Sequence, residues 1–267
     1  MRVFLTGGTG AIGSHALPAL IDAGHQVTAM VRNATKGEAV RRAGATPVEL
    51  SIFDRAGLTE AFDGHAAVVN LASALPSTQR FVMKSAWAQC HRIRTEGSAA
   101  VVDAALAAGV ARVVQESVAM IYRDNSDRWI DEDSPVDHYP TSVGNHAAES
   151  SARRFSESGR DAVTLRFGLF YGHGAAHSEQ ILQLARRHLI FQAGRPDSYM
   201  SSIHLADAAY AVVAALDARS GVFNIVDDEP VTKKQNTSAL KSAVGIAAAL
   251  VGPGRAALLL GDRTTSM

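Results

Sequence analysis

Cysteine is nearly absent from this chain of 267 residues, because Cys90 is the only one. A single thiol cannot form an intramolecular disulfide, which excludes the class of small secreted domains held together by disulfides. The low cysteine count is typical of a reducing compartment, and no signal peptide precedes the first predicted strand, so we expect a cytoplasmic protein. No spacing links Cys90 to a base, and we interpret it as a buried or half-buried thiol.

The chain also lacks a net charge, because 26 acidic side chains balance 26 basic ones. No overall field therefore attracts nucleic acid or an anionic membrane surface, and we expect neither as a partner. No apolar run is long enough and free enough of charge to span a bilayer. The composition, 47% hydrophobic and 19% charged, is that of an ordinary globular chain with a sizeable core.

Spacings typical of metal ligands are missing as well. The acidic stretch from Tyr122 to Pro140 is rich in turn residues, and we interpret it as a surface loop. His173 and His177 stand four residues apart near Glu179, but glycines flank the first of them and disfavour the helix that would align the pair. The sequence therefore predicts no metal site.

A glycine-rich stretch at the start of the chain organises the rest. Residues 2–5 form a short β-branched and aromatic run of the length of a buried strand, and apolar residues recur at helical spacing from Ile12 onwards. Between them lies TGGTGAIG, whose glycines let the backbone approach a pyrophosphate that free amides at the helix start would bind. This context predicts a dinucleotide site formed by Gly7, Thr9, Gly10, Ala11, Ile12 and Gly13.

Two glycine patterns fit this loop, and neither is specific by itself. One is G-x-G-x-x-G beginning at Gly8, and the other is G-x-x-G-x-x-G beginning at Gly7. The alternative interpretation is a tight turn without a ligand. The flanking strand and helix favour the nucleotide, because that context is what gives such a motif its meaning.

The end of the second predicted strand bears on the choice of coenzyme. This strand covers Gln26 to Val31 and is followed by Arg32. An acidic residue here would accept hydrogen bonds from the adenosine ribose, whereas an arginine can bind a 2′-phosphate. We therefore expect NADP rather than NAD, with the alternatives that Arg32 stacks on the adenine or faces solvent.

Strands and helices alternate along the chain, which predicts an α/β fold with a doubly wound parallel sheet of the Rossmann type. Further strands are predicted at residues 46–50, 65–71, 112–117, 162–167 and 222–226, and helices at residues 36–43, 86–108, 178–188 and 205–216. Ligands of such sheets collect at the carboxyl ends of strands, so Leu71, Ala72 and Ser73 join the predicted coenzyme site.

We expect two portions in the chain. Residues 1–168 are predicted to form the NAD(P)-binding domain, to which residues 200–228 return. Residues 169–199 and 229–267 are predicted to form a smaller substrate-side portion. No closing element is identifiable before Met267, which leaves both a natural and a truncated end open.

These motifs together resemble the short-chain dehydrogenase/reductase superfamily, in its extended or atypical type, the NAD-dependent epimerase/dehydratase family. The resemblance covers nearly the whole chain and rests on TGGTGAIG at 6–13, VVNLA at 68–72, LRFGLFYG at 165–172, SIHLADAA at 202–209 and GVFNIVDDEPVT at 221–232. It implies a Rossmann domain that binds NAD(P) and a small C-terminal portion that forms the substrate pocket. It also implies that Ile52 offers its backbone to the adenine, although Ser51 replaces the acid usual before it.

The resemblance further implies a catalytic tyrosine and lysine in Y-x-x-x-K and a hydroxyl residue after the fifth strand. The matching positions here hold Thr141, Asn145 and Val118, so the usual set is missing. A tyrosine without a neighbouring cation keeps the pKa of a free phenol, which makes the remaining candidates weak. These weak catalytic candidates are Ser117, Tyr122, Tyr139 and His146.

Functions of different classes are compatible with these residues. The leading hypothesis is an NADP(H)-dependent oxidoreductase of a small carbonyl, hydroxyl or sugar-nucleotide-like substrate, since hydride transfer needs an oriented coenzyme and a proton source but no protein nucleophile. The alternative is a catalytically silent NADP(H)-binding sensor or scaffold. A third hypothesis is an epimerase or dehydratase that acts through a transient keto intermediate. The missing tyrosine and lysine count most strongly against this hypothesis. The helix predicted at residues 86–108 suits the homodimers usual for the resembled family.

Overall fold

The computed structural model describes residues 1–76, 80 and 83–254 of the chain. The helices are α1 (Gly13–Asp22), α2 (Ala34–Arg42), α3 (Arg55–Phe62), α4 (Ala88–Arg92), α5 (Ser98–Ala107), α6 (Val143–Glu157), α7 (Ala176–Arg186), α8 (Leu205–Ala214) and α9 (Lys233–Val244). The strands are β1 (Arg2–Thr6), β2 (Gln26–Val31), β3 (Thr46–Glu49), β4 (Ala67–Asn70), β5 (Arg112–Val118), β6 (Asp161–Phe167), β7 (Leu169–Tyr171), β8 (Leu189–Ala193), β9 (Tyr199–Met200), β10 (Ser202–His204), β11 (Gly221–Ile225), β12 (Val231–Thr232) and β13 (Leu250–Gly254).

Seven of the strands form one parallel sheet in the order β11-β6-β5-β4-β1-β2-β3. The chain runs from β1 outward through β2 to β3 and then returns to β4 on the other side of β1. The strand order therefore reverses between β1 and β4, where open parallel sheets bind their ligands. The predicted doubly wound Rossmann fold is confirmed.

Helices cover both faces of the sheet, and strand alternation decides which side chain meets which layer. Val3 and Leu5 of β1 point to one core, which includes side chains of α1, α2 and α8. Phe4 between them points to the other core, with side chains of α3, α5 and α6. There its ring meets Phe62 at a centroid distance of 4.7 Å. A sheet buried on both faces explains the continuously apolar strands in the sequence.

The long helix predicted at residues 86–108 is not one uniform helix. A 3₁₀ turn at Lys84–Trp87 leads into α4, and a π-helical segment at Ile93–Gly97 separates α4 from α5. The extra residue in a π-helical turn changes the direction of the side chains that it carries. Periodicity alone did not predict the π-helical segment. This segment carries a charged side chain of the candidate site.

The C-terminal helix also ends earlier than its apolar sequence suggests. Residues 239–251 are rich in alanine and other apolar residues, but α9 ends at Val244. Gly245 follows in the left-handed conformation, with a φ of 72°, which stops a helix. Residues 250–254, including the Gly-Pro-Gly break, form β13 and pair in parallel with β8.

Short strands also pair with one another outside the large sheet. β7 pairs with β10, β9 with β12, and β8 with β13. The division into a coenzyme-binding and a substrate-side portion stays a prediction, and the end of the chain at Met267 lies outside the described residues. Within the described part of the chain, none of the helices is both long and apolar enough to cross a membrane.

Candidate functional site

The glycine loop after β1 is wedged between the end of β4 and the start of α1. Gly7 has a φ of +72°, and a Cβ atom there would lie 2.5 Å from the Leu71 carbonyl oxygen. A Cβ atom on Gly13 would collide with the Gly7 carbonyl oxygen. The Gly10 amide donates to that same oxygen at 2.9 Å, which closes the turn. Only side-chain-free residues allow this close approach of three backbone segments.

The first helix begins without a side-chain cap, and the residues at its start leave amides unused. Ile12 stands at the N-cap position and makes no capping hydrogen bond. Within the described residues, the amides of Ala11 and Ile12 donate to no backbone oxygen. Free amides at a helix start, together with the helix dipole, form an anion site. These residues therefore fit the diphosphate of a dinucleotide.

Buried polar side chains connect the ends of the three central strands beneath this loop. Thr6 donates its hydroxyl to Asn70 Oδ1 at 2.5 Å, and Asn70 Nδ2 donates to Gln115 Oε1 at 2.8 Å. The Ala72 amide also donates to Asn70 Oδ1, at 3.4 Å. This network fixes the segment with the predicted residues Leu71, Ala72 and Ser73 against the glycine loop. Ser73 is exposed, with its hydroxyl 3.9 Å from the Cys90 sulfur.

The predicted adenosine-side residues lie at the ends of β2 and β3. Arg32 is exposed and forms no ion pair with any described residue, so its guanidinium is available to an anion. Asn33 beside it caps α2 by accepting a hydrogen bond from the Lys36 amide at 3.0 Å. Ile52 is buried against Gly97, where an added Cβ atom would lie 3.2 Å from the Ile52 side chain. Only the backbone of Ile52 is therefore left for a ligand.

Ser117, the first of the weak catalytic candidates, is held by a buried ion pair. Its hydroxyl donates to Glu149 Oε1 at 2.6 Å, and its side chain is fully buried. Arg166 binds the same carboxylate through two hydrogen bonds, of 2.9 and 2.8 Å. Because the Ser117 side chain is buried and its hydroxyl is bound to Glu149, it has little freedom to orient a substrate.

Tyr122 is engaged in the same cluster. Its hydroxyl donates to Asn224 Oδ1 at 2.8 Å and accepts from Arg166 Nη1 at 2.6 Å. Burial raises the pKa of the Tyr122 phenol, although Arg166 opposes this effect. Both hydrogen-bonding functions of the phenol oxygen are thus occupied, and the geometry does not favour Tyr122 as a proton donor.

Tyr139 and His146 lie on either side of the turn that leads into α6. The Tyr139 hydroxyl donates to the Met120 carbonyl at 2.8 Å, and the side chain is half-buried. Burial raises the pKa of this phenol, and the charge of Arg94 acts in the opposite direction. His146 Nε2 lies 2.9 Å from the Asp137 carbonyl oxygen, and burial lowers the pKa of its imidazole. Tyr139 is the candidate phenol that combines partial exposure with a nearby cation.

At the position where the resembled family has its lysine, Asn145 is buried and bound to an arginine. Arg94 Nη1 donates to Asn145 Oδ1 at 3.1 Å, and Arg94 Nη2 donates to Glu116 Oε1 at 2.6 Å. Neither Arg94 nor Glu116 is among the site residues predicted from the sequence. The available signal was Glu116 inside the predicted strand at residues 112–117 and Arg94 on the long helix predicted at residues 86–108, because buried charges require partners.

The histidines near residue 175 do not assemble into a metal site. His173 Nδ1 lies 3.8 Å from Glu179 Oε1 on an exposed surface. His177 is largely buried instead, and burial lowers the pKa of its imidazole. Over the ranges that the structure describes, no three histidine, cysteine, aspartate or glutamate side chains are grouped as metal ligands.

Comparison with known proteins places this site in a family. Residues 3–226 match the model of the NAD dependent epimerase/dehydratase family. The chain belongs to this family. Membership confirms the predicted family and, with it, the coarse functional class, an NAD(P)-dependent oxidoreductase of the epimerase/dehydratase type.

Curated relatives of this epimerase/dehydratase chain include reductases and dehydrogenases. A "3-diazoavenalumate denitrifying reductase" of Streptomyces sp is 29% identical over 254 residues, which are 88% of this chain and 79% of the relative. A "Sterol-4-alpha-carboxylate 3-dehydrogenase, decarboxylating" of Dictyostelium discoideum is 26% identical over 86% of this chain and 72% of the relative. The names of these two relatives describe different reactions, so they do not indicate a substrate for this chain.

Solved structures similar to this family member share its fold. A UDP-glucose 4-epimerase of Thermus thermophilus, in complex with NAD, is 22% identical, with a TM-score of 0.78 over 95% of this chain and 86% of the other. The dTDP-glucose 4,6-dehydratase DesIV of Streptomyces venezuelae, also with NAD bound, is 20% identical, with a TM-score of 0.81 over 96% and 86%. At this identity the likeness establishes the architecture and not the reaction.

Proposed function

We propose that this protein binds NADP(H) and transfers hydride to or from a small carbonyl, hydroxyl or sugar-nucleotide-like compound. The observation that carries the proposal is the glycine loop. Gly7 and Gly13 bring backbone segments together so closely that a Cβ atom at either position would clash. The uncapped start of α1 lies directly after this loop and supplies free amides for a diphosphate.

The remaining predicted contacts follow the ends of the strands. Arg32 would bind the 2′-phosphate that distinguishes NADP from NAD, because its exposed guanidinium has no acidic partner among the described residues. Ile52 would offer its backbone to the adenine. Leu71, Ala72 and Ser73 would line the coenzyme beside β4. The bound coenzyme supplies the hydride, and the protein supplies its orientation.

The state of the candidate catalytic groups favours simple oxidation or reduction over epimerisation. Ser117 and Tyr122 are both held in the cluster around Arg166. A mechanism through a transient keto intermediate needs proton transfer in both directions at one site, which depends on a dedicated acid–base pair. A reduction needs one proton, which Tyr139 or water can deliver. The names of the two curated relatives, a reductase and a dehydrogenase, support the same choice.

The test is oxidation of NADPH by the purified full chain, followed by its absorbance against a panel of carbonyl compounds that includes nucleotide-linked keto sugars. We expect turnover with at least one class and tighter binding of NADPH than of NADH in calorimetry. Tight NADPH binding without any turnover above background would favour the alternative, a silent sensor or scaffold. Absence of binding of either coenzyme would contradict the proposal.

Two further properties are proposed with the function. We expect a cytoplasmic protein with a small-molecule substrate, on the composition and single cysteine of the chain. We also expect a homodimer through the long helical region that ends with α5, as the resemblance implies. Light scattering of the purified protein measures the second property, and a monomer at micromolar concentration would contradict it.

A further inference from the structure

The loop between β7 and α7 lies against the start of α1, although the two are far apart in the sequence. Residues 172–175 form this loop, which we call the 172–175 loop. His15 is the third residue of α1, and its Nε2 atom lies 2.9 Å from the His173 carbonyl oxygen. A carbonyl oxygen only accepts, so the imidazole donates this hydrogen bond through Nε2. The bond joins the helix start that we propose to bind the diphosphate to a loop 158 residues further along the chain.

The two glycines of the 172–175 loop lie against histidine rings. Gly174 has a φ of +86°, and a Cβ atom there would lie 3.4 Å from His15 Nε2. Gly172 has a φ of +112°, and a Cβ atom there would lie 2.6 Å from His204 Nε2. Residues with a side chain rarely adopt such φ values. The loop therefore fits closely against both imidazoles, and any other residue at either glycine would displace it.

Neighbouring helices hold this arrangement from two further sides. His204 caps α8, because its Nδ1 atom accepts a hydrogen bond from the Ala206 amide at 3.3 Å. The Gly174 amide donates to Glu179 Oε1, in the first turn of α7, at 3.1 Å. His15 adds the attachment to α1. The 172–175 loop thus lies between the starts of three helices, of which α1 belongs to the proposed coenzyme site.

His173 depends on its backbone for its place in the loop. Its side chain is 98% exposed, and its Nδ1 atom lies 3.8 Å from Glu179 Oε1, a surface contact that contributes little. Glycines on both sides give the backbone wide conformational freedom once its contacts are lost. Loss of the His15 hydrogen bond would therefore release the loop from α1 without unfolding the helix, because the buried side chains of α1 pack in the core.

We propose that His15 is a positioning residue of the coenzyme site, which holds the 172–175 loop against the start of α1 and thereby slows the release of NADP(H). The inference rests on the proposed function, in which the amides of Ala11 and Ile12 bind the diphosphate. These amides precede His15 by four and three residues, which is about one helical turn. A loop fixed there borders the bound diphosphate and restricts its way out, whereas a released loop does not.

The experiment measures how fast NADPH leaves the full chain. Bound NADPH is displaced by excess NADP⁺ in a stopped-flow instrument, and its fluorescence gives the dissociation rate constant. His15→Leu removes the donor, and we expect the constant to rise by about two- to tenfold, the range for one lost hydrogen bond. His15→Gln keeps an N–H donor and should return the constant close to the parent value. His25→Leu makes the same change beyond the other end of α1 and should leave the constant unchanged.

A second variant changes the same contact from the loop side. In Gly174→Ala the new Cβ atom would lie against the His15 ring and the backbone would keep an unfavourable φ, so the loop must shift away from α1. We expect faster NADPH release here as well, with His15 intact. The double variant H15L/G174A should release NADPH no faster than the quicker single variant, because both substitutions remove one and the same contact.

Variants that are folded by near-ultraviolet circular dichroism decide the outcome. Release at the parent rate in His15→Leu or Gly174→Ala would overturn the inference. So would equal acceleration in His15→Gln and His15→Leu, or accelerations that multiply in H15L/G174A. Absence of NADPH binding to the parent protein in calorimetry would contradict the proposed function, and this inference with it. Tight binding with unchanged release in the variants contradicts the inference alone, so the two failures are distinguishable.

Discussion

At the scale of single residues, the proposed coenzyme site depends more on the absence of side chains than on the functional groups that are present. Gly7 and Gly13 contribute no functional group, yet each is required by a close backbone approach. Arg32 is the exception, because the proposed binding of its guanidinium to a 2′-phosphate would distinguish two coenzymes that differ by this one group. Such a residue could be predicted from the sequence, since it directly follows the apolar strand β2.

Replacement of Arg32 by aspartate tests this discrimination. A carboxylate would repel a 2′-phosphate and accept hydrogen bonds from a free ribose, so NADP binding weakens relative to NAD binding. We expect the ratio of the two dissociation constants to change by about ten- to a hundredfold, the range for one lost hydrogen bond to a charged group. Calorimetry with both coenzymes measures it. Arg128→Asp, in the exposed loop, makes the same charge change and should leave the ratio as it was.

At the scale of elements, the regular strands and helices were predictable and the irregular ones were not. Asp54, which directly precedes α3, caps this helix by accepting a hydrogen bond from the Gly57 amide at 3.0 Å, as aspartate commonly does at an N-cap position. The π-helical segment Ile93–Gly97 was missed, because its side chains still repeat close to helical spacing. The cluster of Arg94, Glu116 and Asn145 was missed for a related reason. Its members come from three separate elements, and only the folded chain brings them together.

The start of α1 gives a test at this scale. In Gly13→Ala the new Cβ atom would lie 2.7 Å from the Gly8 Cα atom, so the loop must move away from the helix. The free amides then no longer converge, and we expect NADPH affinity to fall by about tenfold or more, comparable to the loss of one charge-assisted hydrogen bond. Fluorescence titration of NADPH measures this loss. An affinity equal to that of the parent protein would remove the glycine loop from the site.

A second glycine provides the control. Gly37 lies inside α2, where an added Cβ atom would make ordinary contact with the Pro47 Cβ atom at 3.6 Å. Alanine is favoured over glycine in a helix by about 1 kcal/mol, so Gly37→Ala should keep or increase stability and leave NADPH affinity unchanged. The same substitution thus has opposite consequences in two helices, according to the space around each glycine.

At the scale of the whole molecule, a second buried ion pair connects the sheet to the helix layer and to the acidic loop. Arg166 of β6 binds Glu149 of α6 in a bidentate manner, and Nη1 of the same guanidinium donates to the Tyr122 hydroxyl. Tyr122 in turn donates to Asn224 of β11, the edge strand of the sheet. Both charges are more than nine-tenths buried, so each depends on the other to offset its lost hydration.

We therefore expect Arg166→Met to destabilise the fold by about 3–5 kcal/mol, because it leaves the Glu149 carboxylate buried without its counter-charge. The double variant R166M/E149Q should lose much less, since no unpaired charge remains. Urea unfolding of the two variants and the parent measures the difference. Arg195→Met breaks an exposed ion pair with Asp197 and should leave the urea midpoint unchanged. Equal losses in the single and double variants would mean that packing of the arginine stem, and not its charge, holds α6 on the sheet.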